Sequence, residues 1–222
     1  MRPLLSDARL DRYLAHYLGR EGQALRLYTW NHQISSAFWG PLGVLEVVVR
    51  NGIHRRLVER CRREDWWNDS RLYLCNAERN AIDSAIETVQ RRGNPAPGPN
   101  DVVAATTFGL WVGLTGAGWP RDQVHSYETT LWQPRISRAF PHAAPVRRKQ
   151  IHDELNRLRA LRNRIAHHEP IFNAPHAQLR DMILAVTGYV HPDASAYIAN
   201  HERITEVLAS KRATVVDGSP GF

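Results

Sequence analysis

At 222 residues the chain is long enough to bury one sizeable core without disulfides or metals. Its two cysteines, Cys61 and Cys75, have no CxxC spacing, which excludes a disulfide framework and a zinc site and fits a reducing compartment. The formal net charge is +7, and the basic residues are all arginine apart from Lys149 and Lys211; a guanidinium grips phosphate with two prongs, so this balance is compatible with nucleic acid, although a bias toward arginine codons gives the same composition. Asp7, Arg9 and Asp11 stand where a signal peptide needs its apolar run, so a cytoplasmic protein is expected.

In chain order, Ser6 caps a short amphipathic helix carrying Leu10, Tyr13, Leu14, Tyr17 and Leu18, which stops at Gly19. A long helical pattern runs from Gln23 to about Arg60, with a kink expected at Gly40-Pro41. Its second half places Glu46, Arg50 and His54 at i, i+4 and i+8. Glu46 and Arg50 are expected to pair, either as a surface ion pair or within a polar row that meets a later helix and orients a base there. The connector 62–70 holds Trp66 and Trp67, a pair that plugs the core at a bend or stacks nucleobases.

Asn76 to Arg92 reads as an amphipathic helix with Ile82, Ala85, Ile86 and Val89 inward, ending in the Gly- and Pro-rich loop 93–99. Asn100 caps the next helix, with Asp101 in its first turn. The uncharged run 102–120 is marginally long enough to span a membrane, but its glycines and threonines and its lack of a basic N-terminal flank indicate buried helix. Gly109, Gly113 and Gly116 within it suggest close helix contacts. Residues 128–139 are interrupted by Pro134, and Phe140-Pro141 marks another boundary.

The most informative helix is expected from Ala144-Pro145 to Glu169. Ile151, Leu155, Leu158, Leu161 and Ile165 form its apolar stripe, with Arg162 inside the stripe; Asn156, Arg159, Asn163 and His167 line a neighbouring polar face. Pro170 ends the helix at Glu169 and leaves His167 and His168 in the last turn, where the dipole favours a protonated imidazole. An imidazolium beside a guanidinium is suited to holding phosphate. Arg147, Arg148 and Lys149 form a basic cluster at the helix start, which sits near a bound backbone or is merely solvated. Two more helices follow, over about 175–190 and 193–210. The tail 214–222 is expected to be disordered, giving a single domain over 1–213.

An arginine five places before a histidine is expected about once by chance in so basic a chain, and Arg147 and His152 repeat the spacing. The whole phrase Leu161-Arg162-Asn163-Arg164-Ile165-Ala166-His167-His168-Glu169-Pro170 is more specific. It resembles the motif of Abi-like (abortive infection) proteins, of the HEPN superfamily. Two other features are similar to that family: Glu46 with Arg50 on an early helix, and the Phe108-Gly109-Leu110-Trp111 element some fifty residues before the Arg-Asn phrase. The resemblance spans roughly residues 25–172. It implies an all-α HEPN-like helical bundle with additional helices, and a toxin-like endoribonuclease of abortive infection or phage defence. It also implies a homodimer with a composite active site, and an antitoxin or regulator as a further partner.

Arg162, Asn163 and His167 are then the expected catalytic residues, supported by His168, Glu46 and Arg50, with Arg147, Arg148, Arg159 and Arg164 on the RNA. The alternative is a non-catalytic HEPN-type module that binds RNA or a protein partner. No cofactor or metal is expected: His168-Glu169 and His201-Glu202 start like zinc-protease helices, but neither has a second histidine four residues after the first.

Overall fold

From Ala24 to Cys61 a buried residue recurs every three or four positions, among them Leu27, Trp30, Ile34, Phe38, Leu42, Leu45, Val49, Ile53 and Leu57, and this period holds the segment as one 41-residue helix, Glu21–Cys61. At 1.5 Å per residue it runs about 60 Å and forms the axis of the molecule. The computed structural model describes residues 5–218, and the helices among them are α1 (Asp7–His16), α2 (Glu21–Cys61), α3 (Asn76–Arg91), α4 (Pro99–Ala105), α5 (Phe108–Leu114), α6 (Arg148–Ala166), α7 (His176–Val190), α8 (Pro192–His201) and α9 (Ile204–Arg212). No strand occurs among the described residues, so the protein is all-α. One continuous core reaches from Leu10 to Val215.

Pro41 lies inside α2 without ending it. Proline withholds the N–H that the Ala37 carbonyl would accept, but Phe38 and Leu42 are buried on either side and the apolar stripe continues unbroken. The uncharged run resolves into α4 and α5, separated at Thr106-Thr107, with Phe108, Leu110, Trp111, Val112 and Leu114 buried. No helix among the described residues is long and apolar enough to cross a membrane. A Cβ on Gly113 would come within 2.4 Å of the Glu78 carboxylate of α3, so a side chain there would push that carboxylate from its place at the Tyr127 hydroxyl.

Trp66 and Trp67 are buried, and the Trp66 indole N–H donates to His54 Nδ1 at 3.0 Å; the pair plugs the turn after α2. Burial holds the His54 imidazole below its ordinary pKa, which keeps Nδ1 free to accept that bond. The end of the chain departs from expectation. Ala213–Asp217 is a π-helical turn continuing α9, with Thr214 and Val215 buried, so it is ordered by apolar burial that the polar residues around it conceal in sequence. Residues 219–222 of the expected tail, like residues 1–4, lie outside the described residues.

Candidate active site

The five residues expected to form the apolar stripe of α6, Ile151, Leu155, Leu158, Leu161 and Ile165, are all buried. The helix starts at Arg148, later than Ala144-Pro145, and ends at Ala166, earlier than Glu169. His167 is its C-cap. His168 takes a left-handed backbone with φ 54°, its N–H donating to the Ile165 carbonyl at 3.0 Å while the Glu169 N–H donates to the Arg164 carbonyl at 2.8 Å. This is a Schellman closure with histidine where glycine is usual. The turn is tied further by Arg164, 3.6 Å from the Glu169 carboxylate and bonded to the Pro170 carbonyl, and by Arg9, whose guanidinium donates to the His168 carbonyl at 3.3 Å. Because a β-carbon is disfavoured in that conformation, His168→Gly is expected to stabilise the fold by about 0.5–1 kcal/mol. Thermal melting checks this: the midpoint should rise by about 2 °C, and a fall would show that the imidazole itself holds the turn.

Arg162 lies at the edge of the stripe, its side chain 35 % exposed. Its Nε is 3.5 Å from a carboxylate oxygen of Glu46 on α2, and its guanidinium carbon is 5.6 Å from the ring centre of Trp39, two turns before Glu46 on the same helix. Glu46 is therefore drawn across to α6 instead of pairing with Arg50 as its i, i+4 spacing suggests. Arg50 donates to the Asn51 side chain at 3.2 Å. The polar row of α2 does meet α6, but it meets the arginine and not an imidazole, while His54 is turned to Trp66. Trp39 was not singled out in the sequence; its spacing of seven from Glu46, two helical turns, is the signal that places it on the same face.

Asn163 and His167 are both exposed, and the His167 N–H donates to the Asn163 carbonyl at 3.0 Å. Neither side chain makes a hydrogen bond or ion pair among the described residues. Arg162 and His167 are five positions apart, about 140° around a helix, so the arginine turns to α2 while the imidazole stands at the helix end. His168 adjoins His32, their ring centres 6.4 Å apart, and burial followed by the nearby His168 and Arg9 lowers the His32 pKa.

The four arginines expected on RNA divide. Arg148 is committed to the Glu128 carboxylate and to the Thr115 carbonyl at 2.9 Å, and Arg164 to the turn after α6. Arg159 donates twice to the Asn156 side chain, at 2.8 and 3.1 Å, which leaves its charge unneutralised. Arg147 is exposed at the far end of α6, about 22 Å from Arg162 at the helical rise. The basic cluster at the helix start is thus not beside the motif. The decoy spacing Arg147 and His152 is structural: His152 Nδ1 lies 3.1 Å from the Thr115 hydroxyl and 3.2 Å from the Val112 carbonyl, fastening α6 to α5. Among the described residues no group of three or more His, Cys, Asp or Glu is placed to hold a metal ion.

Fold and site define an all-α protein with an arginine, a carboxamide and two imidazoles at the C-terminal end of one surface-reaching helix. No family model, curated protein or solved structure matches this chain.

Proposed function

We propose that this chain is a metal-independent endoribonuclease of the Abi-like, HEPN type, acting as a toxin in abortive infection or phage defence. The observation that carries the reading is the free, exposed imidazole of His167 one turn after Asn163 at the end of the helix that also bears Arg162. In the proposed reaction the RNA 2′-oxygen bonds to the adjacent phosphorus as the bond to the 5′-oxygen breaks. One imidazole takes the 2′-hydroxyl proton and another delivers a proton to the leaving oxygen, so the products are a 2′,3′-cyclic phosphate and a 5′-hydroxyl. Arg162 stabilises the extra charge on the crowded phosphate, and Asn163 orients the imidazole or the phosphate.

A second copy supplies the second imidazole in this reading, which suits the divergence of Arg162 and His167 around a single helix. Trp39, 49 % exposed and 5.6 Å from the Arg162 guanidinium, gives α2 an apolar surface there for such an association. An antitoxin or regulator is a further proposed partner, and the cytoplasm the proposed location. The competing reading, a non-catalytic module binding RNA or a protein, draws on Arg162 being engaged by Glu46 and Trp39.

Incubation of the purified full chain with total RNA in the presence of EDTA separates the two. Cleavage with cyclic-phosphate ends that survives the chelator is the expected result. Binding without cleavage supports the module, and cleavage restored only by a divalent ion removes the metal-independent mechanism.

A further inference from the structure

On the flank of α2 turned away from α6, a cleft of 360 Å³ opens between α2, the 3-10 turn Ile136–Ala139 and the junction of α7 with α8. Val47, Val48, Ala139 and Val190 give it an apolar floor, and Arg55, Arg56 and Arg138 stand around it. Arg56 is neutralised by Glu59 at 2.8 Å and donates to the Arg138 carbonyl at 3.1 Å. Arg55 and Arg138 are exposed, and neither side chain has a carboxylate partner among the described residues. Arg50 lies on the partly exposed part of α2 between this cleft and Arg162, bonded to a neutral carboxamide, so its charge too is uncompensated.

Guanidiniums of one sign around a low-dielectric floor focus a positive potential into the cleft. The ligand that answers both features is an anion with a flat apolar body: phosphate oxygens for the forks of the arginines, a sugar or base for the valines. The volume falls in the range of small-ligand sites, about 300–1,000 Å³, which suits a nucleoside unit and not a duplex. An acidic peptide without aromatic side chains would satisfy the charges but has no flat group for the floor.

We infer that this cleft seats an unpaired nucleotide of single-stranded RNA, whose backbone crosses α2 at Arg50 on its way to Arg162. The inference rests on the ribonuclease reading and replaces Arg147, Arg148 and Arg164 as the principal phosphate contacts with Arg50, Arg55 and Arg138.

The test uses a fluorescent single-stranded 2′-O-methyl RNA oligonucleotide, which lacks the attacking hydroxyl and so reports binding alone. Arg55→Glu/Arg138→Glu is expected to weaken binding by about tenfold or more and to flatten the slope of log K against log salt by about 1.4, two phosphate contacts at about 0.7 each. The charge-matched pair Arg92→Glu/Arg121→Glu, outside the cleft, should leave both unchanged. Circular dichroism melting identifies any variant that fails to fold, and Arg55→Gln/Arg138→Gln then carries the same comparison. If the wild type binds and cleaves RNA but the cleft pair is no weaker than the control pair, the cleft assignment falls and the ribonuclease reading stands. A wild type that neither binds nor cleaves RNA overturns both. Displacement of the oligonucleotide by polyglutamate at equal charge would show that the cleft reads charge alone, and would overturn the RNA assignment.

Discussion

Arg162→Ala and His167→Ala are each expected to abolish the proposed RNA cleavage while the protein stays folded. Proton transfer by a positioned imidazole contributes about 10²–10⁴ to a rate, and removing one donor to a charge-developing oxygen costs about 10²–10³, so either variant should fall below detection in a gel assay that follows wild-type cleavage readily. The structure allows these losses to be separated from loss of fold. His167 is exposed, and surface substitutions of that kind usually stay within about 0.5 kcal/mol. Arg162 meets Glu46 at 3.5 Å with a third of its side chain in water, a pair worth at most about 1 kcal/mol after screening. Melting temperatures of both variants should therefore lie within about 4 °C of wild type.

Arg162→Lys sharpens the comparison, because it keeps a charge near Glu46 and Trp39 but loses the planar fork. It should melt like wild type and remain severely impaired. Wild-type cleavage by either alanine variant would sink the mechanism. A sharp drop in melting temperature for Arg162→Ala, with no activity in the parent to lose, would make the arginine a structural pin between α2 and α6.

Trp30→Ala is expected to have the largest effect on stability, about 3–5 kcal/mol. Trp30 is fully buried in α2, its indole N–H donates to the Val207 carbonyl of α9 at 3.0 Å, the Lys211 ammonium sits 4.4 Å from its ring centre, and the His176 ring meets it edge-on at 5.5 Å. Truncation empties the space where α2, α7 and α9 converge and leaves Lys211, whose pKa burial already lowers, with the Phe172 carbonyl but without the ring face. Urea denaturation should show a much lower midpoint, and an unchanged midpoint would mean that the last helices do not depend on this contact.

Much of α6 was legible because its information is periodic. The stripe from Ile151 to Ile165 is a 3.6-residue pattern, and burial followed it residue for residue. The helix end was less legible. Pro170 marks a boundary, but the Schellman closure two residues earlier depends on His168 adopting a left-handed backbone, which its side chain does not advertise. The fate of Glu46 could not be read from spacing at all. Its i+4 neighbour Arg50 and the distant Arg162 are equally good chemical partners, and the choice between them is made by the approach of α6 to α2.

The same division runs through the arginines. Composition alone announces an excess of positive charge, but which guanidiniums remain free is decided by what each one reaches. Arg148 finds Glu128 and Arg164 finds its own turn, while Arg55 and Arg138, far apart in sequence and unremarkable there, come to one cleft without carboxylate partners among the described residues. The sequence by itself determined an all-α protein with one long central helix and a motif-bearing helix beside it, since helical periodicity is a local property carried by neighbours in the chain. Only the tertiary structure decided that Glu46 and Trp39 hold Arg162, that His167 has no side-chain partner among the described residues, and where uncompensated charge collects, because pairing is settled by distances between residues that the chain itself keeps far apart.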